Sequence, residues 1–189
     1  LKLGFISDKS ADMSEMVIVL QGLSQKINEG VLVSHNPAKK LANRIYGHLS
    51  VIYGAGILSE VAHRWKTQLN ENSKAWAFYE IFPELNHNAV VGYQFPPELA
   101  SQIVVVLLRS ASLSQRIQLR YQVTCQLLDR ANVSYQIVDG EGARPLSQMM
   151  SLVLFGDYVS YYLAMLNKID PTPVKAIDYL KEQLAQKEE

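Results

Sequence analysis

One cysteine, no net charge and no long apolar run are what this chain of 189 residues has to offer several common classes of protein. Each shortage excludes something. Lys+Arg and Asp+Glu balance at 18 each, and no basic block occurs, so the electrostatic footprint of nucleic-acid binding is absent. Cys125 alone cannot make an intramolecular disulfide or a multi-cysteine zinc site. It falls at a helical position among Val123, Leu127 and Leu128, which reads as a buried, inert thiol. The longest apolar candidate, Met149 to Leu166, is interrupted by Ser151, Gly156, Asp157 and Ser160, so no membrane span is expected. His35, His48, His63 and His87 form no pair with metal-ligand spacing and a carboxylate partner, so no metal site is expected. No serine sits in a G-x-S-x-G elbow, and no Walker lysine pattern occurs. The amino end lacks a signal-peptide pattern, and a reducing, cytoplasmic compartment fits this composition. The opening at Leu1, inside an apolar Leu1-Lys2-Leu3-Gly4-Phe5 segment, reads as a fragment or a trimmed product.

What is present is a globular composition, 48% hydrophobic, arranged in alternating periods. Met13, Met16, Val17, Leu20, Leu23 and Ile27 predict a helix over Asp12 to Asn28, capped by Ser10 and stopped near Gly30. Asn36-Pro37 opens a second helix that ends at Gly47. Leu49 to Tyr53, Ala75 to Phe82, Ile103 to Leu108 and Val133 to Val138 read as strands. The six continuous aliphatics from Ile103 suit a strand covered on both faces. Helical patterns follow at Ile57 to Leu69, Leu113 to Leu128, Pro145 to Asn167 and from Val174 onward. Strand and helix thus alternate on short connections. The expectation is an α/β fold: a doubly wound, mostly parallel sheet with helices on both faces. Residues 1–35 read as a linker segment with one helix that docks on the domain, and residues 36–189 as the domain itself.

The chain is organised around Leu49 to Asn88. Gly54-Ala55-Gly56 follows a strand and opens a helix, a turn whose backbone N–H groups can face an anion. Ser59 stands where the dinucleotide fingerprint needs its third glycine, so a nucleotide reading is weak. From these residues alone the turn serves equally as a joint or as a ligand loop. Glu71, between two asparagines at the end of a helical run, is either a solvated helix end or, if desolvated, a general base. Its negative charge at a helix carboxyl end opposes the dipole preference. His87 lies in a loop after Pro83-Glu84, and Lys175 and Lys181 lie on the last helix. Each of the three reads by itself as a solvated side chain.

The wording of the sequence goes further. V-I-Y-G-A-G, A-H-R-W-K-T-Q-L-N-E-N-S-K and F-P-E-L-N-H-N closely resemble the second sugar isomerase (SIS) domain of the bifunctional phosphoglucose/phosphomannose isomerases. N-P-A-K-K-L-A and D-P-T-P-V-K-A-I-D-Y-L-K fit the same family, so the resemblance runs from about Asn36 to Leu184. It implies aldose–ketose isomerisation of hexose 6-phosphates through a cis-enediol, with no metal and no nucleotide or other cofactor. It implies that Glu71 moves the proton between C1 and C2. His87 would help open the sugar ring, supplied across a homodimer interface, and Lys181 would match the family's lysine, with Lys175 as the fallback. Gly54 and Gly56 would shape the floor under the sugar. Members of the family carry a first SIS domain whose serine- and threonine-rich loop grips the phosphate, and this chain has one SIS-like domain only. The family's catalytic arginine, ahead of the linker, also has no counterpart here. The chain is therefore expected to be the carboxyl-terminal half of such an isomerase. The alternative is a non-catalytic SIS module that binds a phosphosugar or dimerises.

Overall fold

The computed structural model describes residues 7–186, so the apolar opening segment and the last three residues lie outside the description. Four strands form one parallel sheet: β1 (Leu49–Ala55), β2 (Ala77–Phe82), β3 (Ile103–Arg109) and β4 (Ser134–Asp139). Their order is β2-β1-β3-β4, and every neighbouring pair runs parallel. Six helices connect and cover them: α1 (Ser10–Ile27), α2 (Pro37–Ile45), α3 (Ser59–Ser73), α4 (Gln115–Arg130), α5 (Pro145–Leu166) and α6 (Lys175–Ala185).

The two inner strands show why the sheet is covered on both sides. Side chains alternate across a strand. On β3, Val104, Val106 and Leu108 enter one core, while Val105 and Leu107 enter the other. On β1, Ile52 goes to the first core and Tyr53 and Ala55 to the second. The first core is closed by α1, α2, α3 and α5. The second is closed by α4 and by short 3₁₀ turns at Glu84–Asn86 and Ala89–Gln94. Cys125 belongs to this second core, 8% exposed, and burial pushes its thiol up, away from the reactive thiolate.

α5 spans 22 residues and, by length and composition only, is long and apolar enough to cross a membrane. The interruptions at Ser151, Gly156, Asp157 and Ser160 do not break it. Here it is the central helix of the first core, with Leu152, Val159 and Leu163 at most 2% exposed. Its small and polar residues are used in packing: Ser151 accepts the Glu141 N–H at 2.8 Å, and Ser160 sits against the end of α3.

α2 starts as its sequence predicts. The Asn36 side chain accepts the Lys39 N–H at 3.0 Å, and Pro37 takes the first helical position. α1 starts at Ser10, with Lys9 at the cap position. It lies along α5 and is fixed at both ends. Glu15 accepts the Ala143 and Arg144 N–H groups at 2.8 and 3.0 Å, just ahead of α5. Arg144 pairs with Asp12 and Glu15, both at 3.2 Å, and Lys26 pairs with Glu141 at 3.1 Å.

This clamp sets a pH dependence. Hydrogen bonds from the Arg144 backbone hold the Glu15 carboxyl below its usual range, and the Arg144 guanidinium does the same for Asp12. A carboxylate whose pKa is depressed on docking contributes its stability above its ordinary value and loses it as pH falls through the docked value. The ordinary values are 4.5 and 3.8, so α1 is expected to loosen below that window while the sheet stays closed. Amide exchange, corrected for intrinsic rate, checks this. Loss of α1 protection at pH 3 with β3 still protected is the expected result. Equal protection of α1 and β3 there would refute it.

Candidate active site

The end of α3 is built to expose one carboxylate. Helix α3 continues through the N-E-N run to Ser73 and stops at Lys74, in the left-handed conformation at φ 52°. Asparagine is a poor helix former, yet here the flanking side chains are all engaged. Asn70 donates to the Ala75 carbonyl at 2.9 Å. Asn72 donates to Gln68 at 2.7 Å and to the Ser160 hydroxyl at 2.9 Å. Ser73 is fully buried and donates to the Ser160 carbonyl at 2.7 Å, while Asn167 donates to the Ser73 carbonyl at 2.9 Å. Glu71 is exposed, and among the described residues its carboxylate has no hydrogen-bond partner. Its neighbours tie the backbone to α5 and leave the acid free.

Glu71 faces a groove of about 600 Å³ between the end of α3 and the start of α6. Asn70, Lys74, Asp170, Val174 and Lys175 help line it. Lys175 therefore shares the groove with Glu71. Lys181 lies two turns further along α6, exposed, and is not in the groove wall. No residue of α6 is buried.

His87 follows the same plan at another place. Leu85 is fully buried and anchors the turn. Asn86 donates to Thr124 at 2.9 Å and accepts from Arg120 at 3.1 Å, both on α4. Asn88 caps the next turn through the Ala89 N–H. His87 stands exposed between these fixed neighbours, its ring without a hydrogen-bond partner among the described residues.

Topology separates the two groups. α3 runs back from the carboxyl end of β1 to the amino end of β2, so Glu71 lies at the amino edge of the sheet. His87 follows the carboxyl end of β2. The six residues of β2 between them put the groups roughly 20 Å apart along the strand. One chain does not bring both to one ligand.

Gly54 and Gly56 are elsewhere again, at the carboxyl end of β1. A Cβ at Gly54 would collide with the Leu58 backbone carbonyl, so this glycine is required by the turn itself. Gly56 has φ 54°, and a Cβ there would meet Leu113 at 3.2 Å. The loop after β3 thus packs over it, at the point where the strand order reverses. Neither glycine lines the Glu71 groove. Among the described residues, no three His, Cys, Asp or Glu side chains gather as a metal site would need.

Residue 74 escaped the sequence reading. Its ammonium donates to the Glu71 carbonyl and, at 3.0 Å, to the Pro171 carbonyl. The only signal for it is a lysine directly after the N-E-N-S run that ends a helix.

The model of the bacterial phospho-glucose isomerase C-terminal SIS domain matches residues 34–184, which include the N-E-N and L-N-H-N runs. The chain belongs to that family. Its relatives include the bifunctional phosphoglucose/phosphomannose isomerase of Caldicellulosiruptor bescii, 37% identical over 98% of this chain and 55% of that protein. The protein of the same name from Aquifex aeolicus is 37% identical over 87% of this chain and 51% of its own length. The chain thus spans about half the length of the curated relatives it matches. Among solved structures, a glucose-6-phosphate isomerase like protein from Thermus thermophilus superposes with a TM-score of 0.74. It is 21% identical, over 86% of this chain and 55% of that one, and shares the SIS fold of parallel sheet and flanking helices.

Proposed function

We propose that this chain is the carboxyl-terminal half of a metal-independent isomerase that interconverts glucose 6-phosphate or mannose 6-phosphate with fructose 6-phosphate. The observation that carries the reading is the end of α3: a Glu71 carboxylate unpartnered among the described residues, on a backbone fixed by Asn72, Ser73 and Asn167, facing a lysine-bearing groove.

Aldose–ketose exchange needs one positioned base. With the ring open, Glu71 takes the C2 proton of the aldose while O1 takes a proton from solvent, which O2 gives back when the ketose forms, and the cis-enediol results. The same carboxyl returns the proton to C1 as the C2 hydroxyl becomes the ketose carbonyl. No electrons leave the sugar. A cation beside the developing enediolate oxygen is worth a few kcal/mol, about 3, in a site closed to water. The resemblance matches Lys181 to the family's lysine, at the ring with His87, and Lys175, the fallback, lines the groove of Glu71. His87 acts at the ring oxygen from a second copy of the chain, which the separation within one chain favours. Gly54 and Gly56, at the carboxyl end of β1 and outside the Glu71 groove, have no part in the floor of that groove. The phosphate is held by the amino-terminal half that the relatives carry. The composition fits a reducing, cytoplasmic compartment, and the resemblance implies no cofactor.

The chain joined to such a half is expected to convert fructose 6-phosphate with excess chelator present, followed by a coupled assay. The chain alone is expected to be inactive. Phosphosugar binding by the joined protein without turnover would instead make this a non-catalytic SIS module.

A further inference from the structure

The conformation of Lys74 poses a question. At φ 52° it holds a left-handed backbone that glycine adopts without strain and lysine seldom does. The helix stop would be served better by glycine. Lys168 holds a similar conformation at φ 56°, and what sets Lys74 apart is the use of its side chain.

That side chain joins two walls. One of its acceptors, the Glu71 carbonyl, is among the last four of α3, which lack partners within the helix. A cation there also suits the negative end of the helix dipole. The other acceptor, Pro171, belongs to the turn that launches α6. Nothing comparable holds α6. Among the described residues, the Lys74–Pro171 hydrogen bond is the only one that joins residues 170–186 to the rest of the chain. Ile177, Tyr179, Leu180 and Leu184 are 40–64% exposed, so apolar packing does not hold it either.

We infer that Lys74 is a positioning residue, a latch that fixes the start of α6 against the end of α3 and so sets the groove shared by Glu71 and Lys175. Its part in turnover rests on the reading of Glu71 as the base. Its part in the structure does not. An ammonium has three N–H donors, and two carbonyls use two of them. The latch therefore needs a multidentate cation, which arginine can supply and methionine cannot.

The test uses Lys74→Met and Lys74→Arg in the chain joined to the amino-terminal half. Amide exchange over residues 174–180 is the first readout. Lys74→Met should speed it about tenfold, the loss of one hydrogen bond to a charged group. Exchange in β3 should not move. The second readout is kcat for fructose 6-phosphate, expected to fall roughly 10- to 100-fold with a smaller change in KM, as for a misplaced base. Lys74→Arg should recover most of both. Unchanged exchange over 174–180 in Lys74→Met overturns the latch, whatever Glu71 does. So does equal loosening of β3, which would make Lys74 a general cap. Full activity in Glu71→Gln would overturn the base and leave the exchange result standing on its own.

Discussion

Glu71→Gln in the joined protein should lower kcat for fructose 6-phosphate by about 10²- to 10⁴-fold, the range a positioned general base supplies. KM should change little, because glutamine keeps the shape and hydrogen-bonding reach of glutamate and loses only the ability to accept the proton. Stability should hold to about 0.5 kcal/mol. The carboxylate is exposed and has no partner among the described residues, and the backbone beneath it is held by Asn72 and Ser73 against Ser160. His87→Ala should also cost activity, by slowing ring opening. The informative measurement is the two variants together. Glu71 and His87 stand at opposite ends of the sheet in one chain, so a shared site must draw them from two copies. If the proposed dimer shares its sites, co-expressed Glu71→Gln and His87→Ala chains should form mixed dimers in which one site keeps both groups. Random pairing should then restore about a quarter of the wild-type rate, since half the dimers are mixed and each has one intact site of two. Activity that survives Glu71→Gln would remove the base. Two inactive variants that recover nothing on mixing would remove the shared site.

The order of elements was legible because each rests on a short-range rule. Asn36 and Pro37 start α2 by satisfying or lacking N–H groups, and Ile103 to Leu108 is apolar on both faces because both faces are covered. What sequence could not show depends on contacts between elements. The helical pattern of α3 breaks at Asn70-Glu71-Asn72, yet the helix runs on to Ser73 because Ser160 and Asn167 of a distant segment bind it there. The polar interruptions of α5 were legible as residues but not as helix–helix contacts. The two candidate residues, Glu71 and His87, come from two motifs of the sequence. Their separation required the strand order, which no local pattern encodes. The same holds for the lysines: Lys175 and Lys181 look alike by sequence, and only the turn at Pro171 puts Lys175 beside the glutamate.

The largest expected loss of stability comes from Trp65→Ala, about 3–5 kcal/mol. Trp65 is the middle of the contact between α3 and α5. It is 2% exposed, and its indole N–H donates to the Leu152 carbonyl at 2.8 Å. Its ring stacks on Phe155 with centroids 6.2 Å apart and lies so close over Gly156 that a Cβ there would collide with it. The flat ring and the bare glycine let the two helices approach. Removing the ring leaves a hole that Gly156 has no side chain to fill, and it discards a buried hydrogen bond. For a chain of this size the midpoint of thermal unfolding should fall by roughly 6–20 °C. Trp76→Ala is the control: Trp76 is 73% exposed, and its loss should stay within about 0.5 kcal/mol. Circular dichroism melts of the two variants decide the matter, and equal midpoints would contradict the packing argument. The consequence reaches the site, because Trp65 and Glu71 ride on one helix. With the indole gone, α3 keeps its smaller core residues Val61, Ala62 and Leu69, the exposed Arg64–Asp157 pair and the polar ties of Asn72, Ser73 and Asn167, but loses the largest side chain that holds it to α5. Native Trp65→Ala protein should therefore show faster amide exchange along α3 than along β3, and the groove beside Glu71 should loosen before the sheet does.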